Sequence, residues 1–357
     1  MVLLGSTGSI GTNTLEIAER FHIRVEALVA GRNIALLKEQ ILRFQPCYVC
    51  VADKEAAEAL DHPRVFWGEE GILEVIHRAS SAVVVNALVG FLGLRPTIEA
   101  IKAGKTVALA NKESLVAGGA FIDPQYLRPI DSEHFGLWYL LNGRSPARMT
   151  ITASGGAFRD WPIEKIAAAT AKEALNHPNW SMGAKITVDS ATMANKLFEL
   201  LEARWMFGCR HIDAVIEPRS VVHALVEFKD GATVAQMANP DMKLPIAYAL
   251  MGHVEDPILP PVNLLEIGAL TFRPITAIRY PLWTLKEELL QNPQRGVVVN
   301  AANEMAVARF LEGRIPFGKI AETVLAAYRH FEDADPKNLD DVFAVDREVR
   351  SWCEKAG

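Results

Sequence analysis

The stretch Ser190-Ala-Thr-Met-Ala-Asn195-Lys196-Leu-Phe-Glu199 gathers hydroxyl, amide, ammonium and carboxylate groups into one short segment. Read as a helix starting at Ser190, after a strand ending at Asp189, it places Asn195, Glu199 and Glu202 on one face with Lys196 beside them. Hydroxyls and open N–H groups at a helix start suit an anion such as phosphate. Glu199 offers a hard oxygen ligand of the kind magnesium or manganese takes. An acid this close to an anion site calls for a cation between them. A capped amphipathic helix with a polar face accounts for the same residues, so other segments must decide.

Asp131-Ser132-Glu133-His134 supplies two more carboxylates, and an extended chain would point Asp131 and Glu133 to one side. With Glu199 they make three oxygen ligands and leave room for substrate oxygens or water. No compact cysteine and histidine array points to zinc. Lys112, where a strand runs into Asn111-Lys-Glu113, can hold a substrate oxygen or relay a proton, or simply pair with Glu113. Thr152-Ala-Ser154-Gly155-Gly156 offers N–H groups and a hydroxyl to phosphate. In His177-Pro-Asn-Trp180-Ser-Met-Gly183, Trp180 can cover a substrate, Gly183 can hinge and His177 can donate to an oxygen. A surface loop pinned by a buried Trp180 is the plainer alternative.

The chain opens on a strand, the turn Gly5-Ser6-Thr7-Gly8-Ser9-Ile10-Gly11 and a helix, the context of a dinucleotide fingerprint, although the spacing is G-x-x-G-x-x-G. After the second strand, where an NAD enzyme carries an acid for the ribose, stand Gly31-Arg32-Asn33. Arg32 would attract a 2′-phosphate, which favours NADP.

These groups need a scaffold of more than one core: 357 residues, half apolar and 22% charged, form a folded chain of two or three domains. A net charge of −6 with no basic tract argues against nucleic acid. The apolar run at residues 83–89 is too short to span a bilayer, and no signal segment precedes the first strand. Cys47, Cys50, Cys209 and Cys353 read as free thiols of a cytoplasmic protein. Alternating strands and helices over residues 1–130 predict a Rossmann-like parallel sheet. Residues 131–253 read as a central α/β catalytic and dimerisation domain, with a hairpin of strands 221–228 and 233–237 around Lys229-Asp-Gly231. A proline-rich linker fills 254–278. Helical patterns at 282–291, 300–312, 318–331 and 339–354 predict a C-terminal bundle within 279–357.

With these residues in place, the sequence resembles the 1-deoxy-D-xylulose 5-phosphate reductoisomerases of the non-mevalonate isoprenoid pathway over nearly its whole length. The resemblance rests on the first glycine turn, Leu109-Ala-Asn-Lys-Glu-Ser-Leu115, Asp131-Ser-Glu-His134, His177-Pro-Asn-Trp-Ser-Met-Gly183, Val188-Asp-Ser-Ala-Thr-Met193 and Ala301-Ala-Asn-Glu304. It implies a homodimeric, NADPH-dependent enzyme with a divalent metal, magnesium or manganese with cobalt possible, acting on 1-deoxy-D-xylulose 5-phosphate. Asp131, Glu133 and Glu199 correspond to metal ligands. Ser132 and Lys112 correspond to contacts with the substrate backbone, and Ser154, Gly155, Ser190, Asn195 and Lys196 to phosphate contacts. His177 and Trp180 fall on a mobile loop. Coenzyme contacts carry over to residues 5–11, 31–33, Asn111 and Glu113. Leu197 stands where the family commonly has glycine, and Glu217 where histidine is frequent. A metal-independent NADP dehydrogenase and a coenzyme-binding scaffold are the rival readings, and neither needs three acids together with Lys112.

Overall fold

Seven short strands pair as one parallel sheet: β1 (Val2–Leu4), β2 (Ala27–Val29), β3 (Tyr48–Val51), β4 (Val65–Trp67), β5 (Val83–Asn86), β6 (Thr106–Leu109) and β7 (Leu127–Pro129). Their order is β4-β3-β2-β1-β5-β6-β7, so the winding reverses at β1, which has β2 on one side and β5 on the other. β1 and β2 are apolar throughout and buried, as a sheet covered on both faces requires. The computed structural model describes residues 1–356, and the chain divides into two compact units. The first holds this sheet and comprises Met1–Ser114, Asp123–Phe135 and Asp241–Pro260.

Helix Ser9–Arg20 follows β1 and buries Leu15, Ile17 and Ala18. Helix Lys243–Met251 comes back to this unit from far along the chain and adds Ile246, Ala247, Ala249 and Leu250 to the same core. Burying an isoleucine or leucine contributes about 1.5–3 kcal/mol. A Lys243–Glu16 ion pair at 2.7 Å and Arg128 Nη1 donating to the Ala249 carbonyl at 3.0 Å fix its orientation.

The second unit is built on β8 (Pro146–Ala153), β9 (Ile212–Ile216), β10 (Val222–Phe228) and β11 (Thr233–Met237), ordered β11-β10-β8-β9. β10 and β11 form the expected hairpin, with Gly231 at φ +90° in its turn. Alternate residues of β8, Met149, Ile151 and Ala153, are buried with Leu200 and Ala203 of helix Ala194–Phe207. Helices Gly296–Leu311, Gly318–His330 and Leu339–Ala356 form the expected bundle. The first starts four residues before the expected 300, directly after the short 3-10 turn Pro293–Arg295. A side chain at Gly296 would run into the Val116 carbonyl, so the helix can start there only as glycine.

Two local expectations fail. Asp189 does not end a strand: it lies in helix Ala184–Thr192, and Met193 at φ +68° breaks that helix from Ala194–Phe207. The β-branched Ile186-Thr-Val188 suggests a strand, but Val188 and Ala191 are buried with Phe158, Ala306 and Val307, and tertiary packing overrides local preference. Nor are residues 131–134 extended. The Asp131 carbonyl accepts from Phe135 N at 2.8 Å, so helix Ser132–Leu141 starts at once after β7.

Candidate active site

In the first unit, the turn after β1 meets the steric demands of a coenzyme loop. Gly5 has φ +86°, and a side chain there would strike the Ala87 carbonyl. A side chain at Gly11 would strike the carbonyls of Gly5 and Ser6, so its close approach is to the turn itself. Gly8 sits at the start of helix Ser9–Arg20 with only the Gly5 carbonyl near its open face. The Ser6 carbonyl is held by Gln40 Nε2 at 2.9 Å, and the buried Ser6 hydroxyl has no protein partner. The loop therefore presents N–H groups at the switch point of the sheet, where α/β proteins bind ligands.

Arg32 is 88% exposed and faces Asp53 at 3.8 Å, a loose pair that leaves its guanidinium open to an anion. Asn33 caps the next helix through Leu36 N at 3.3 Å, and a side chain at Gly31 would meet nothing within 4 Å. Asn111 is more deeply committed than its sequence position suggests. Its Nδ2 donates to the Leu88 and Gly90 carbonyls at 2.9 and 2.8 Å and to Glu113 at 3.1 Å. Asn111 and Glu113 thus shape residues 88–90 from beneath.

At the carboxyl end of this sheet, Lys112 Nζ donates to Asp131 Oδ2 at 2.7 Å, with both side chains largely buried. Ser132 Oγ donates to Glu133 at 2.6 Å. The carboxylates of Asp131 and Glu133 lie within 4.8 Å of one another, brought there by a helix start rather than by strand alternation. Two acids this close repel unless a cation or proton is shared.

In the second unit, the expected phosphate groups collect beyond the end of β8. Lys196 Nζ donates to the Thr152 carbonyl and to Glu199, and Asn195 Nδ2 donates to the other Glu199 oxygen. Glu199 and Lys196 are buried. Gly155 and Gly156 take φ +90° and +69°, and a side chain at Gly156 would hit the backbone of Ser190 and Ala191. Ser154, Gly155, Ser190 and Lys196 therefore share one neighbourhood, although the helix break at Met193 separates Ser190 from Asn195. Asp189, by contrast, is structural: it accepts from Lys185 at 2.9 Å and from Asn303 at 2.7 Å.

His177 joins this cluster in a defined protonation state. Its Nδ1 accepts from Asn179 N and Trp180 N at 3.1 and 2.9 Å, so the proton sits on Nε2 and is donated to Ser154 Oγ at 2.8 Å. Burial, helped by the nearby Arg159 charge, lowers its pKa to about 4. Trp180 is half-buried and meets His223 edge-on, centroids 6.2 Å apart. Asn179 Nδ2 ties the loop to the Pro218 carbonyl at 2.8 Å and to Ser220 Oγ at 2.7 Å. Gly183 has φ −60° and open surroundings, so no steric demand explains glycine there.

Arg159 is the residue that sequence reasoning missed. Its Nη1 donates to the carbonyls of Ser154 at 2.7 Å and Pro218 at 3.0 Å, joining the glycine loop to the turn that Asn179 of the Trp180 loop also holds. An arginine three residues beyond a double glycine is the one signal that could have found it. Glu217 is structural: its buried carboxylate accepts from Arg219 N and Val221 N at 2.9 and 2.8 Å and shapes the turn into β10. Leu197 is buried on the helix that carries Glu199.

Comparison with known proteins covers the chain almost end to end. Residues 1–119 match the family model for 1-deoxy-D-xylulose 5-phosphate reductoisomerase, residues 127–207 its C-terminal domain, and residues 237–352 a further C-terminal domain of DXP reductoisomerase. The chain is 56% identical to the 1-deoxy-D-xylulose 5-phosphate reductoisomerase of Nautilia profundicola, with 99% of both chains covered. It is 54% identical to that of Wolinella succinogenes, over 99% of this chain and all of the relative. Among solved structures, a DOX-P reductoisomerase with NADPH, fosmidomycin and magnesium superposes with a TM-score of 0.92 at 34% identity, covering 99% of this chain and 97% of the other. The Zymomonas mobilis enzyme with NADPH gives 0.90 at 34% identity, covering 99% and 98%.

Proposed function

The chain belongs to the 1-deoxy-D-xylulose 5-phosphate reductoisomerase family, and from that premise we infer how its own residues divide the work of the reaction. The reaction is the NADPH- and metal-dependent conversion of 1-deoxy-D-xylulose 5-phosphate to 2-C-methyl-D-erythritol 4-phosphate, a step toward isoprenoid precursors. The observation that carries the assignment of roles is the cluster beyond β8, where Ser154, neutral His177 and Lys196 meet two positive-φ glycines.

Ser154 Oγ accepts from both His177 Nε2 and Gly156 N, which turns its own proton outward to a phosphate oxygen. Lys196 supplies positive charge, and Asn195 and Ser190 further donors. Held there, the phosphate provides binding energy remote from the reacting carbons. Trp180 closes over the substrate and excludes water. Lys112 Nζ, held by Asp131, holds a substrate oxygen and can move a proton to it. We assign Asp131, Glu133 and Glu199 as the metal ligands: all are hard oxygen donors, and Lys112, paired with Asp131, offsets only one of the two charges of the close Asp131 and Glu133 pair. When bound, the divalent ion supplies Lewis-acid polarisation of vicinal substrate oxygens, and NADPH the hydride. Residues 5–11, Gly31, Arg32 and Asn33 receive the coenzyme, with the buried Ser6 hydroxyl as a ready partner.

We further propose a cytoplasmic homodimer that divides by role into a coenzyme region at 1–130, a catalytic and dimerisation region at 131–253, a linker at 254–278 and a helical region at 279–357. No described helix is long and apolar enough to cross a membrane. The reaction is tested by product analysis after incubation with 1-deoxy-D-xylulose 5-phosphate, NADPH and magnesium. A branched product formed mole for mole with NADPH oxidation, lost on chelation and restored by magnesium or manganese, is expected. An unbranched alditol phosphate, or full turnover in chelator, would overturn the reading in favour of a simple dehydrogenase.

A further inference from the structure

A second cationic cleft is lined in part by Arg159. It is a cavity of about 380 Å³ lined by Arg159, Asp160, Arg273, Thr276, Arg279 and Tyr280, among others. At ~30 Å³ per water it has room for roughly a dozen waters. Three guanidinium groups and a single carboxylate leave it strongly positive.

The hydrogen bonds show how much of that donor capacity is uncommitted. Arg273 gives only Nη1, to Asp160 at 2.7 Å, and its side chain is 46% exposed. Arg279 gives only Nη1, to the carbonyls of Phe158 and Trp161, both at 2.8 Å. Arg159 uses Nε for Asp160 and Nη1 for the Ser154 and Pro218 carbonyls. Nη2 of all three, and Nε of Arg273 and Arg279, have no acceptor among the described residues. The frame is rigid: Arg273 is bridged to Ile216 by paired backbone hydrogen bonds at 2.9 Å, and buried Tyr280 donates to the Gly155 carbonyl at 2.8 Å. Pre-placed guanidinium forks with unused donors are the arrangement that recognises phosphoryl oxygens.

We propose that this cleft is a second anion site, separate from the substrate-phosphate cluster, and that it takes a compact polyanion of the diphosphate class. One phosphoryl group lies between Arg273 and Arg279, and the other reaches Arg159 in place of Asp160. Asp160 already bridges Arg159 and Arg273 through its two oxygens, and a diphosphate supplies the further oxygens that Arg279 and the unused donors can bond. This inference does not rest on the roles assigned to Ser154 or the metal ligands. The two sites touch the same glycine loop, because Arg159 and Tyr280 hold the carbonyls of Ser154 and Gly155.

Inorganic diphosphate titrated calorimetrically into the metal-free protein, without coenzyme, tests it. Wild type should bind it, and Ser154→Ala should retain that affinity within about twofold. Arg273→Ala should weaken it about tenfold or more, the loss expected for charge-assisted hydrogen bonds. Arg273→Gln, which keeps much of the side-chain volume, should behave the same way and separates lost charge from lost packing. If wild type does not bind diphosphate, or if Ser154→Ala abolishes binding while Arg273→Ala and Arg273→Gln do not, the anion has no site in this cleft and the inference is wrong. In the latter case the substrate-phosphate reading of Ser154 would stand.

Discussion

His177 should remain neutral well into acid, carrying its proton on Nε2. Two backbone N–H groups point at Nδ1, and protonating that nitrogen would break both bonds and place charge in a half-buried ring beside Arg159. With the pKa moved from 6.5 to about 4, roughly 1 ring in 100 is charged at pH 6, against about three in four for an unperturbed histidine. Nitrogen-15 NMR of the ring should show an unprotonated Nδ1 and a protonated Nε2 from pH 8 to about 5. Arg159→Gln should raise the pKa by removing a positive neighbour, while burial, the larger cause, keeps it below 6.5. The stability consequence has a definite sign. Because the folded pKa lies below the unfolded one, the unfolded chain binds the proton first. This contribution is whole above pH 6.5 and is lost as pH falls from 6.5 toward 4. The full shift corresponds to roughly 3 kcal/mol, and with part of the ring open to solvent about half of that is expected. Denaturant unfolding at pH 7 and 4.5 should therefore show wild type losing about 1.5 kcal/mol more than His177→Gln. A ring titrating near 6.5, a proton on Nδ1, or parallel pH dependence in the two proteins would refute the reasoning.

Three further outcomes are expected. Arg32→Ala should weaken NADPH more than NADH in a binding titration, since only the former carries the 2′-phosphate, and equal losses would remove Arg32 from that role. Gly11→Ala forces a methyl group into the carbonyls of Gly5 and Ser6, so it should cost about 1–3 kcal/mol by thermal or denaturant unfolding and weaken NADPH binding; an unchanged variant would mean the turn is not rigid. Trp180→Ala should lower turnover by tenfold or more with coenzyme affinity kept, and unchanged turnover with unchanged indole fluorescence on substrate saturation would dismiss the lid.

The strands β1, β2, β3, β5 and β6 were readable because buried parallel strands are largely apolar, whereas β4, partly exposed, and β7, Leu-Arg-Pro, carry no such run. The hairpin around Gly231 and the C-terminal bundle were readable for similar local reasons. The positions of Asp131 and Asp189 were not. At Asp131 a helix starts within one residue of a strand end, and period-two and helical readings of four polar residues cannot be told apart. At Asp189 the β-branched run is helical because Val188 and Ala191 are buried against helix Gly296–Leu311, a partner more than a hundred residues away. The chemistry at Ser154, His177 and Lys196 was legible by residue type alone. The arginine that braces them was not, because Arg159 acts through backbone carbonyls, which leave no mark in a sequence.

The central claim is that Asp131, Glu133 and Glu199 jointly hold the divalent cation on which the rearrangement depends. Glu199→Gln removes one charge at nearly constant volume, and its single amide oxygen can accept from only one of Asn195 and Lys196, which donate to different Glu199 oxygens. Manganese binding followed by electron paramagnetic resonance, in parallel with NADPH titration, tests the assignment most directly. Manganese affinity should fall at least tenfold in Glu199→Gln, with NADPH affinity within about twofold of wild type. Wild-type manganese affinity in the folded variant would contradict the ligand set.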